Sequence, residues 1–97
     1  MSIELLPAAL TATSTIWYTA AADELVQLML KPLAGTKGNH PESVVYLQFK
    51  NAAGQPVTVQ ILGGFNPVVA SFRGPADYCI ERPVLPAYVG GAGVDRL

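Results

Sequence analysis

Residues 44–62 read VVYLQFK, then NAAGQ, then PVTVQIL: two runs of aliphatic, β-branched and aromatic residues around a five-residue segment that contains Asn51 and Gly54. Such runs favour extended backbone, and a short Asn/Gly segment between two of them closes an antiparallel hairpin. Val45, Leu47 and Phe49 share one face and Val57, Val59 and Ile61 share another, with Gln48, Lys50, Thr58 and Gln60 alternating with them. Because successive side chains of a strand point to opposite faces, the pattern predicts a hairpin with one buried and one wetter face.

The rest of the chain repeats this strand-and-turn rhythm. TIWY (15–18) is rich in β-formers, and ELVQLMLK (24–31) places Val26, Leu28 and Leu30 on one face before Pro32 ends it. LAGTKGNHPES (33–43) is a loop by composition. NPVVASFR (66–73) follows Gly63-Gly64, and DYCIER (77–82) follows Gly74-Pro75. Short strands at a spacing of about ten residues predict an all-β fold, a small antiparallel β-sandwich or barrel.

Residues 1–14 are expected to form an extended N-terminal arm with Ile3, Leu5, Leu6 and Leu10 around Pro7, an apolar cluster without a lasting period. A short helix through Leu6 and Leu10 is the alternative, weakened by Pro7 and the threonines. At the other end, Gly90, Gly91 and Gly93 predict a flexible, Gly-rich C-terminal tail over 90–97. One β-domain over 15–89 remains, as expected of a chain of 97 residues, which supports a single modest core.

Charge is the second constraint. Only 13% of residues are charged, about half the roughly 25% of an ordinary soluble domain. Eighteen uncharged residues separate Glu4 from Asp23, and twenty-two separate Lys50 from Arg73. Surface this poor in charge points to contact with other protein subunits. The net charge is −1 and the six Lys and Arg residues are scattered, so no basic stripe is present to neutralise phosphates and nucleic-acid binding is not expected. The apolar residues of 5–22 are broken by Pro7 and threonines, which argues against a signal peptide or membrane span.

Little in the sequence carries chemistry. His40, the single histidine, has no second His or Cys at ligand spacing, so no metal or other cofactor is expected. Asp77 and Glu81 are able to share one side of a strand, yet four residues at roughly 3.3 Å each put them about 13 Å apart, too far for a glycosidase pair. No G-x-S-x-G elbow is present, and GGAG (90–93) is followed by neither Lys-Ser/Thr nor a helix-forming stretch. The expectation is therefore a non-enzymatic protein. Cys79 is the one cysteine, which excludes an intrachain disulfide and favours a buried thiol. In TIWY one of Trp17 and Tyr18 faces outward as an anchor for a protein or, with Tyr88, for a sugar ring.

TSTIWYTAAADELVQLMLKP (13–32) resembles the opening strand pair of small virion β-sandwich proteins. FRGPADYCIERP (72–83) with the terminal GVDRL is similar to the closing segment of capsid decoration, or cement, proteins of tailed bacteriophages. The resemblance covers about half the chain and includes no chemically demanding motif. It implies a jelly-roll or β-tulip-like sandwich, made in a host cytoplasm, that assembles as a dimer or trimer on the outside of the phage head. Its partners would be the major capsid protein or other virion subunits, and its apolar arm would clamp neighbouring subunits. The partner-binding residues expected on these grounds are Ile3, Leu5, Leu6, Leu10, Trp17, Tyr88 and Arg96. A phage tail or head–tail connection component, and a small carbohydrate-binding sandwich, are the alternatives.

Overall fold

The computed structural model describes residues 2–32, 41–89 and 91–97. His40 and most of the loop expected over 33–43 lie outside the described residues, as does Gly90. Among the described residues there are nine strands: β1 (Ile3–Ala9), β2 (Thr13–Ser14), β3 (Tyr18–Ala20), β4 (Leu25–Lys31), β5 (Val44–Lys50), β6 (Pro56–Gly63), β7 (Val69–Arg73), β8 (Ala76–Arg82) and β9 (Ala92–Arg96), with a 3-10 turn at Ala87–Val89. The fold is all-β, with every pairing antiparallel.

Two sheets result. One has the order β1-β9-β4-β7; the other has the order β2-β8-β5-β6, with β3 also pairing β8. The β5–β6 hairpin is the connection predicted from 44–62, and it stays within one sheet. The strand-bearing segments on either side of it pass from one sheet to the other, which is what wraps both sheets around a shared interior. That interior takes Val26, Leu28, Leu30, Ala70 and Val94 from the first sheet and Val45, Leu47, Leu62, Tyr78 and Ile80 from the second. The predicted face of β4 is fully used: Val26, Leu28 and Leu30 are all buried. Phe72 packs edge-on to both Phe49 and Tyr78 at ring separations of 5.0 and 5.1 Å, an aromatic seam joining the sheets.

Both terminal readings need correction. Residues 1–14 are not an extended arm, because β1 pairs β9 from Ile3 opposite Arg96 to Ala9 opposite Ala92. Leu6 is 4% exposed and belongs to the core. Nor do the described residues of the 90–97 segment form a flexible tail: β9 lies between β1 and β4, and Ala92 and Val94 are completely buried. The β-domain therefore includes both segments that were set outside its 15–89 limits. Gly91 and Gly93, read as flexibility, serve close approach instead. A Cβ on Gly93 would lie 2.5 Å from the Leu6 carbonyl oxygen and 2.6 Å from the Ala8 nitrogen, so only glycine lets β1 cross there.

The two ends are joined by Arg82, the last residue of β8, which is 3% exposed. Its Nε donates to the Thr11 carbonyl at 2.6 Å, and its Nη1 donates to the carbonyls of Pro7 and Ala92 at 2.7 and 2.8 Å. Nη2 reaches the Thr11 hydroxyl at 3.4 Å. Burial disfavours the charged guanidinium and pulls its pKa below the ordinary value, so the charge is held by carbonyl dipoles from three segments.

Candidate interaction surface

The residues expected to bind partners do not form one surface. Leu6 is a core residue, while Leu5 and Leu10 are half-buried against that core. Ile3 is exposed at the start of β1, opposite Arg96. Arg96 donates from Nη2 to Glu24 Oε2 at 2.6 Å. That hydrogen bond, together with one from the Ala21 N–H, holds the Glu24 carboxyl below the ordinary value. Tyr88 is exposed on the 3-10 turn and its hydroxyl donates to Glu42 Oε2 at 2.6 Å. On the outside of the four-stranded sheet, Lys31 bridges Glu4 and Asp95. Burial opposes its charge, but the hydrogen bonds and fields of the two carboxylates outweigh it and raise its pKa.

Trp17 lies on the other sheet. The edge strand leaves β8 between Ser14 and Tyr18, and Lys50 sits 4.8 Å from the centre of the Trp17 ring. Tyr18 packs on Tyr78 at 5.5 Å. Both aromatics are thus engaged within the chain, which leaves less ring face for a sugar. Beside them Gln48, on the outward face, donates to Glu81 Oε2 at 2.8 Å and accepts from the Cys79 thiol at 3.6 Å. Asp77, on the same face of β8, instead accepts from the Thr19 hydroxyl at 2.9 Å. The two carboxylates have different partners and do not converge.

Burial first, and the Glu81 charge second, push the Cys79 thiol up, against the opposing field of Lys50. A buried, protonated thiol is a poor nucleophile. In native protein at pH 8, Cys79 is expected to react with a thiol reagent at least about a hundredfold more slowly than in denatured protein. Equal rates would show that the outer face opens readily.

The surface that stands apart lies where β6 and β7 are the edge strands of their sheets. Asn51–Phe72 contains no charged residue, and this one segment supplies β6, the turn after it and most of β7. Val57, Val59 and Ile61 are 45%, 48% and 38% exposed, and Phe65 is 98% exposed at the tip of the turn. Val68 and Val69 continue the patch. The chain matches no protein-family model, no curated protein and no solved structure.

The expectation that one face of the hairpin is buried holds for β5 and fails for β6. Val45 and Leu47 are buried, and Phe49 is half-buried against the core. Val57, Val59 and Ile61 are not: Ile61, opposite Tyr46 and next to the buried Leu62, lies on the outer face, and Val57, opposite Phe49, lies on a strand with no neighbour beyond it. A bulge opposite Leu47 and Gln48 also makes Val59 an extra residue, which breaks the alternation. The signal that did mark this surface is the twenty-two-residue gap in charge between Lys50 and Arg73. Among the described residues no group of three His, Cys, Asp or Glu side chains is placed to hold a metal ion, and no helix is long and apolar enough to cross a membrane.

Proposed function

We propose that this protein is a non-enzymatic assembly protein that docks on other protein subunits through the uncharged side formed by β6, the following turn and β7. The observation that carries the reading is Phe65, almost wholly exposed at the tip of the turn between β6 and β7, in a segment with no charge. An aromatic side chain projecting from such a patch has the chemistry of an interface anchor.

The finer reading is a capsid decoration protein of a tailed phage, placed on the head surface with the major capsid protein as partner, in a jelly-roll or β-tulip-like sandwich. It is supported by the likeness of residues 13–32 and 72–83 to that class and by the charge-poor surface. Capsid shells provide the test. Phe65→Asp is expected to weaken co-sedimentation with shells by at least about tenfold, since loss of a hot-spot anchor costs about 2 kcal/mol or more. Its thermal stability should stay within about 0.5 kcal/mol of wild type, because the side chain touches so little of its own fold. Wild-type protein that ignores shells would remove the capsid reading, and a Phe65→Asp variant that binds them normally would remove this surface.

A further inference from the structure

Cys79 and Gln48 are buried, yet they lie outside the core. They pair with each other across β8 and β5, and their neighbours along the two strands, Tyr78 and Ile80, Leu47 and Phe49, all belong to the core or pack against it. Alternation therefore puts Cys79 and Gln48 on the outer face of the sheet. They are nevertheless only 4% and 9% exposed. Among the described residues no further strand packs on this face, so the cover comes from neighbouring side chains.

That cover starts at the break in the edge strand. Ser14 pairs Glu81, the Thr15 N–H donates to the Ile80 carbonyl at 2.9 Å, and Tyr18 pairs Tyr78, so Ile16 and Trp17 together stand opposite the single residue Cys79. Two residues against one form a bulge, which re-aims side chains. Ile16 turns out to solvent, 74% exposed, while the Trp17 ring lies 4.8 Å from Lys50 Nζ. Trp17 stands on one side of β8 and Lys50, on β5, stands on the other. Two interstrand spacings, about 9.5 Å, separate the backbones that bear them, so the two side chains meet above β8. Of the outward residues of β8 beneath that meeting, Asp77 is exposed and engaged with the Thr19 hydroxyl, and Cys79 is the one enclosed.

We propose that Trp17 and Lys50 form a lid across β8, poised to open, that controls access to the Cys79 thiol. Its fastening is weak, since a cation–π contact at a site open to water shifts an equilibrium only about two- to fivefold. No strand pairing includes Ile16 or Trp17, so the ring swings away while β2 and β3 stay paired. The lid lies at the edge of its sheet away from β6 and is independent of docking through Phe65.

The chain has one tryptophan and one cysteine, so fluorescence follows the lid and a maleimide follows access to the thiol. Trp17→Ala should speed maleimide labelling of the native protein at least about tenfold, whereas Ile16→Ala, at the exposed half of the same bulge, should leave it unchanged. Lys50→Met should red-shift Trp17 emission and raise its quenching by acrylamide, and it tests the lid even if Trp17→Ala fails to fold. Labelling through a local opening should proceed at a flat rate in low urea and rise only near the unfolding transition. A wild-type rate for folded Trp17→Ala, equal acceleration by Ile16→Ala, Trp17 emission unmoved in Lys50→Met, or wild-type labelling that climbs steeply from zero urea would each overturn the lid.

Discussion

Arg82→Met is expected to destabilise the protein by about 3–5 kcal/mol, a large part of the roughly 5–15 kcal/mol that holds a domain folded. The guanidinium is the common donor to Pro7, Thr11 and Ala92 carbonyls in a site almost closed to water. Each buried carbonyl left without a donor costs about 1–3 kcal/mol, and relief from burying a cation with no carboxylate partner offsets part of that sum. Arg82→Lys should recover only part of the loss, since a single ammonium lacks the planar fork that reaches three segments at once. Urea unfolding monitored by tyrosine and tryptophan fluorescence measures both. A loss under about 1 kcal/mol for Arg82→Met would mean that the carbonyls find other donors and that Arg82 is no clasp.

Deletion of residues 1–12 should abolish cooperative unfolding altogether. It removes β1, uncovers one edge of β9, takes Leu6 out of the core and deprives Arg82 of two of its three carbonyl segments. Burial of Leu6 alone contributes about 1.5–3 kcal/mol, and the half-buried Leu5 and Leu10 add to it. Together with the Arg82 acceptors, these losses approach the whole stability of a domain this small. Differential scanning calorimetry should show no transition for the truncated chain. A sharp transition near the wild-type temperature would restore the view of residues 1–12 as an appendage.

Of the four apolar residues of this segment only Ile3 is well exposed, so the four do not together form a clamp. The proposed docking surface lies instead at the β6 edge and the turn that bears Phe65. That placement follows from where the edges fall and from no single residue's chemistry.

What the sequence determined by itself was local. β-Branched runs and alternating positions marked β4, β5, β6, β7 and β8, and Val26, Leu28, Leu30, Val45 and Leu47 were legible as inward residues because one period-2 pattern covers each strand. The gap in charge over Asn51–Phe72 was legible as interface chemistry for the same reason: it is a property of the chain alone. The tertiary structure decided the rest. IELLPAA and AGVDR have neither alternation nor strong strand preference, and they are strands because each supplies the other's hydrogen-bonding partner and Arg82 ties the two together. Val57, Val59 and Ile61 have the residue types of a core strand, yet stay partly exposed because a bulge splits them between the two faces and β6 is last in its sheet, and strand order depends on contacts between residues far apart in the chain.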